Sequence, residues 1–428
     1  MERAKKRMYD LHNAYLENGM HIIMHKIPGI KTVSCGLWIK QGSCYENDEN
    51  NGLSHLVEHL LLNAEDSDNK NYKELMCEVS ANGVHYNAAT TKEYTCYYFT
   101  GLKSNLNLCL ECLVNISMFN RTFSDTAFEN EKKVVLQEAT EFYSSFQQIK
   151  ERTSQALWGN TGIGRVIMGN MGNISNAERE ETVKLISSSY IPDKATVVVV
   201  GNIDYLNTLD IISDKFGEWK NEKNEHVSDA VENLPSIYIN NTKANSAVFS
   251  IGFRGPAYSD SMRPATEMMT RILGQSGMYS RMIKEIRLKE GLAYNLGSFS
   301  SFYEKRGTLG FMVTCDKNKT VDVAKRIMNI LIKAKEGGFS EEEIEREKKM
   351  METAVILSVD QLTDHLRQIG RCSVMNRNFY IENEIRAIRN ITKEDVDLAA
   401  KETLKNELMG LAAIGEFNVD KMIEVVSL

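Results

Sequence analysis

No segment of this chain approaches 18 uninterrupted apolar residues, so no transmembrane helix is expected. Cysteine is sparse. Eight residues scattered over 428 do not make a disulfide framework, and a reducing, cytoplasmic setting is the simplest expectation. A basic excess is also missing: the formal net charge is −7, which argues against nucleic acid as the main partner. Lys5, Lys6 and Arg7 near the start are not followed by an apolar stretch, so no secretory signal is expected. The first strand begins too soon for a mitochondrial presequence. What is left, 42% hydrophobic and 25% charged residues, describes an ordinary globular protein long enough for two or more domains.

Histidine is scarce as well, with eight residues, yet two of them carry the most information in the chain. His55-Leu56-Val57-Glu58-His59 sets two imidazoles four positions apart, with a glutamate directly before the second. On a helix, such positions share one face, one turn apart. They suit two ligands of a single zinc ion, with Glu58 directed at a water on the same metal. The order is the inverse of the usual zinc-protease motif and matches the inverted one. A helix is supported by Ser54, a suitable N-cap, and by an apolar face of Leu53, Leu56, Val57, Leu60 and Leu61. A chance match would occur in roughly one chain in a hundred, so the triplet favours a metal site over an ordinary core helix.

A catalytic zinc needs a third protein ligand and an open position. The acidic helix around residues 128–138 offers one. Glu131 and Glu138 lie two turns apart and share a face with Val134 and Val135. Carboxylates on a partly apolar face are costly to bury unless paired or ligating, although a solvated helix face is the plainer reading of acidic residues alone.

With Glu138 in place, the chain resembles the pitrilysin/insulinase family of zinc peptidases. The resemblance runs over nearly the whole length. It is carried by Leu16-Glu17-Asn18-Gly19-Met20, Gly42-Ser43, the His55 to His59 motif, Asn87-Ala88-Ala89-Thr90, Glu93-Tyr94-Thr95, and Glu131 with Glu138. Tyr190-Ile191-Pro192, Gly277-Met278-Tyr279-Ser280-Arg281 and the segment from Arg287 to Tyr294 follow in the family's order. The resemblance implies one zinc ion per chain, held by His55, His59 and Glu138, with Glu58 as general base and Glu131 orienting a ligand. It implies that Arg287 and Tyr294 hold substrate and stabilise the oxyanion; read without it, they are a surface arginine and a strand tyrosine. Asn87 and Ala88 match residues that bind a peptide along a strand edge, as β-augmentation would allow; a strand-end role for Asn87 is equally open. The stretch Trp158-Gly159-Asn160-Thr161-Gly162 departs from the family pattern and leaves local substrate contacts open.

The remaining histidines and cysteines read more plainly. His21 and His25 fall on an alternating strand and are expected at its surface. His85 is a strand histidine that could touch a peptide. His12, His226 and His365 show no constellation. Cys109 and Cys112 have CxxC spacing, but Leu108, Leu110 and Leu113 around them favour core packing over redox chemistry.

Strands are expected over residues 21–26, 33–41, 84–89, 95–102 and 195–201, and helices over residues 72–81, 105–120, 124–146, 177–188 and 206–216. The order then repeats. Phe123-Ser124 to Lys133 reads like Phe339-Ser340 to Lys349, and Gly42 and Tyr45 match Gly255 and Tyr258. In the second copy Met268, Arg271, Ile272 and Ala354 stand where the first has His55, Glu58, His59 and Glu138. The expected fold is α+β: two tandem homologous α/β domains, each a mixed sheet with one face covered by helices. They would span residues 1–217 and 236–428, joined by a polar linker at 218–235. The resemblance implies half of a clamshell that is completed by a second chain.

Three functions fit. The first is a zinc endopeptidase acting on peptides or unfolded segments in a dimeric chamber, as a homodimer with Arg287 and Tyr294 donated across it. The second is the catalytic subunit of a heterodimer, with a related two-domain partner, that matures one precursor peptide. The third is a non-hydrolytic binding or assembly subunit. No membrane partner is expected. Glu58→Gln should abolish turnover with metal retained, whereas Glu138→Ala should mainly weaken metal affinity; zinc analysis beside peptide hydrolysis separates the two.

Overall fold

A computed structural model describes residues 11–63, 70–119, 123–221 and 233–427. Most of the expected linker and His226 lie outside the described residues.

Six strands form the first sheet: β1 (Leu11–Tyr15), β2 (His21–Lys26), β3 (Thr32–Ile39), β4 (His85–Thr90), β5 (Thr95–Leu102) and β6 (Ala195–Gly201). Their spatial order is β1-β2-β6-β3-β5-β4, with β2 and β6 parallel and the other neighbours antiparallel. Strand β4 therefore occupies one edge. The second sheet holds β7 (Ile237–Asn240), β8 (Ser246–Gly255), β9 (Ala293–Phe302), β10 (Gly307–Asp316) and β11 (Met409–Ile414), in the order β7-β11-β8-β10-β9. Its single parallel pair is β7 with β11. From the second strand of the first sheet onward the two orders coincide, so the repeat legible in the sequence is a repeat of topology.

The chain folds into two compact units, and neither is contiguous. The first comprises residues 1–140, 167–229 and 357–381; the second comprises 141–166, 230–356 and 382–428. Alternation along the central strands explains why. In the first unit Ile22, Met24, Cys35, Leu37 and Ile39 face a core built with helices α1 (Leu53–Leu62), α2 (Lys70–Ala81), α3 (Leu106–Val114) and the first part of α4 (Asp125–Ser144). Cys109 and Cys112 lie in that core on α3. The opposite residues, Ile23, His25 and Trp38, are buried too. They lie under the helix Leu362–Val374, from the far end of the chain, which packs on β3 and β6. Gly370 makes that approach possible, because a Cβ there would stand 2.1 Å from the Trp38 ring. The second unit mirrors the arrangement. Phe249, Ile251 and Phe253 face its main core. Val248, Ala412 and Ile414 meet Ile149 of the helix Ile149–Trp158. Gly252 leaves room for Thr153 of that helix.

This second covering layer corrects two expectations. His25 is not a surface residue of its strand; it is 3% exposed. His365 is not isolated, since its Nε2 lies 2.7 Å from Nδ1 of His25. Strand alternation correctly puts His25 opposite the main core, but that side is roofed rather than wet. Burial, with His25 beside it, holds the His365 imidazole down to about 3. An unfolded chain would take up that proton near the ordinary value of 6.5. Stability should therefore fall as pH drops below about 6.5, with a slope of up to about 1.4 kcal/mol per pH unit from this residue. Denaturant unfolding at pH 7 and 5.5 should show a smaller acid loss in His365→Asn than in the wild type.

Candidate metal centre

Helix α1 starts where a buried carboxylate requires it to. Glu46 is 6% exposed and accepts hydrogen bonds from the amides of Gly52 (2.9 Å) and Ser54 (2.6 Å) and from Asn51 Nδ2 (2.8 Å). An anion at this end satisfies amides that have no partner within the helix and complements the helix dipole. The expected N-cap, Ser54, is corrected accordingly. The cap is Gly52, in a left-handed conformation at φ +109, and Ser54 lies inside the helix. Its hydroxyl accepts from Gln41 Nε2 at 3.0 Å. Leu53, Leu56, Val57, Leu60 and Leu61 bury the other face, which aims His55, Glu58 and His59 into a cleft of about 1070 Å³.

Helix α4 brings Glu131 and Glu138 to the same cleft. Glu138 Oε2 lies 3.7 Å from His55 Nε2 and 3.4 Å from His59 Nε2. Ligand atoms of the three residues all fall within 4.8 Å of one another, the one such group among the described residues. Tetrahedral zinc with bonds near 2.0–2.2 Å would separate its ligand atoms by roughly 3.4 Å, so these donors fit the ion with little movement. Behind them, Glu131 Oε2 sits 3.3 Å from His59 Nδ1, and Asn63 Nδ2 donates to Glu131 Oε1. A carboxylate at Nδ1 directs the Nε2 lone pair of His59 into the cleft.

The electrostatics ask for a cation. Burial, with His59 beside it, pushes the His55 imidazole down to about 3, keeping it in the neutral form that donates a lone pair. Burial also pulls His59 down, but Glu131, Glu138 and Glu58 outweigh it and raise its pKa. Burial raises Glu58, against a hydrogen bond from the Thr90 hydroxyl that favours the anion. Three carboxylates and two imidazoles thus surround one point, and among the described residues Lys73 is the one lysine or arginine lining the cleft.

The other predicted site residues are placed as follows. Asn87 and Ala88 lie on β4, the sheet edge nearest the motif's sequence, and Asn87 is exposed and lines the cleft. His85 is exposed on the same strand. Arg287 lies on a π-helical turn of the second unit, its guanidinium 5.6 Å from the ring centre of Tyr294, which is 86% exposed. Where that unit repeats the metal motif, Met268 and Ile272 are buried in the core. Arg271 Nε donates at 2.5 Å to Glu347, the counterpart of Glu131, and Ser276 donates to the same carboxylate. Sequence reasoning missed Glu46, Asn63 and Thr90. Asn63 was within reach, standing one turn after His59; nothing in the sequence singled out Glu46.

A family model described as "Insulinase (Peptidase family M16)" matches residues 21–171, and one described as "Peptidase M16 inactive domain" matches residues 176–351. The chain is 26% identical, over 99% of its length and 95% of the relative's, to an uncharacterised zinc protease of Mycobacterium leprae. It is 25% identical, over 83% of its length and 74% of the relative's, to the mitochondrial-processing peptidase subunit beta of Rattus norvegicus. Its fold matches a protease from Helicobacter pylori with a TM-score of 0.88 at 19% identity, over 95% of this chain and 99% of that one. Loss of the Glu131 carboxylate should show in metal affinity before it shows in folding. Glu131→Gln or Asn63→Ala should weaken zinc binding by about 10–100-fold, read by competition with a chelator.

Proposed function

The chain belongs to the insulinase (M16) family of peptidases, and on that premise we propose that it is a zinc-dependent endopeptidase acting on peptides or unfolded segments. In this reading His55, His59 and Glu138 hold one zinc ion per chain and Glu58 is the general base. The observation that carries it is the convergence of those three donors with Glu58 beside them in one cleft. Zinc bound there would supply a Lewis acid that acidifies water and polarises a scissile carbonyl. Glu58 takes the proton from the attacking water and passes it to the leaving amine. Burial raises its affinity for that proton, which suits a base that must also act as an acid. Glu131 and Asn63 hold His59 in position. Strand β4, with Asn87 and Ala88, has an outer edge that pairs with no other strand among the described residues, and to it an extended peptide adds as a further strand.

Arg287 and Tyr294 complete the proposed machinery by binding the substrate backbone and the oxyanion. Among the described residues their unit carries no such ligand set, and both side chains are exposed. We place them as a contribution from a second chain, so that a dimer holds two composite sites. A second reading is the catalytic subunit of a heterodimeric processing peptidase, favoured by the relative named as a subunit. Among the described residues no helix is long and apolar enough to cross a membrane, and the proposal keeps a cytoplasmic setting.

Purified protein should contain zinc and hydrolyse quenched peptides; zinc without hydrolysis until a partner is added supports the heterodimer, and neither supports a binding subunit. Inactive Glu58→Gln chains mixed with inactive Arg287→Ala chains should recover part of the activity. No recovery after proven subunit exchange would reject donation between chains.

A further inference from the structure

We propose that Thr90 is a positioning residue that fixes the base Glu58 and couples it to the strand that receives the peptide; this inference rests on the peptidase reading above. Thr90 ends β4, and its hydroxyl donates to Glu58 Oε2 at 2.5 Å. An ionised carboxylate only accepts, so the Thr90 hydroxyl is the donor toward Glu58. Thr95 Oγ1, 3.4 Å from the Thr90 hydroxyl, donates its own proton to the Gln41 carbonyl at 2.9 Å.

Glu58 is 9% exposed, and a buried carboxylate needs its oxygens accounted for. With Oε2 committed to Thr90, Oε1 is the oxygen left for proton transfer in the cleft that Glu58 lines. The base is thereby held in one rotamer by a contact with the sheet, not with its own helix.

The strand gives the contact its second consequence. Alternation puts Ala88 and Thr90 on the same side of β4, one two-residue step apart, while the outer backbone edge pairs with no strand among the described residues. A peptide paired with that edge is therefore registered against the residue that holds the base. Positioning of this kind acts on turnover, because a displacement near 1 Å at the reacting atoms costs about 100-fold in rate. Binding along the edge depends on backbone pairing and is expected to change little.

The test uses the full-length zinc-loaded protein and a quenched peptide. Thr90→Val removes the hydroxyl at nearly constant shape, and Thr90→Ser keeps it. The expected result is a kcat lowered by about 10–100-fold in Thr90→Val, with KM within about twofold of wild type. Zinc content and melting temperature should be unchanged, and Thr90→Ser should recover kcat to within about threefold. Wild-type kcat in Thr90→Val would overturn the positioning role alone. Loss of zinc or a lowered melting temperature in Thr90→Val without rescue by Thr90→Ser would make the residue structural and overturn it too. A wild-type protein that binds zinc but hydrolyses no peptide would instead overturn the peptidase reading, and the inference with it.

Discussion

Crowded negative charge is the constraint on which the first unit is organised. Glu58, Glu131 and Glu138 come from two helices and converge on two imidazoles in a partly enclosed cleft. Like charges so placed repel, and burial of Glu58 and Glu131 removes much of the water that would screen them, while Glu138 stays partly exposed. One divalent ion at their centre would reconcile the set. Much of the surrounding fold serves to hold the donors where that ion would need them. Glu46 sets the first turn of α1, the leucine face presses the helix onto the core, and Thr90 and Asn63 each occupy a carboxylate.

How much of this was legible depends on whether a feature is local. The inverted motif and its helix could be read because their periods are short, and β2, β5 and β6 fall where residue alternation and the valine run place them. Helical spacing put Glu131 and Glu138 on one face, and the family resemblance chose Glu138 of the two as the ligand. Glu46 was not, since its role comes from a turn that folds it back over residues 51–54. Ser54 resembled a cap on every local criterion and lost to a carboxylate that satisfies two amides at once. His25 and His365 failed for a related reason. Their strand and helix patterns were readable, but the pairing joins positions from opposite ends of the chain.

That distant pairing belongs to a wider pattern. Each sheet has one face in its main core and the other covered by a helix from the other half of the sequence. Gly370 and Gly252 are the sites where that helix and strand come too close for a side chain. The duplication in the sequence is therefore not a pair of self-sufficient modules. A fragment ending near residue 217 would present Trp38, Ile23 and His25 to water, and the first unit gains its second covering only when residues 357–381 are made.

The second unit kept the glutamate and changed what faces it. Arg271 brings a permanent cation to Glu347, tied in by Ser276, and Met268 and Ile272 fill the remaining space. Its counter-charge is covalently part of the chain, whereas in the proposed reading the first unit would collect one from solution. A chelator would then act on the molecule unevenly, loosening the half that borrows its positive charge and sparing the half that was built with one.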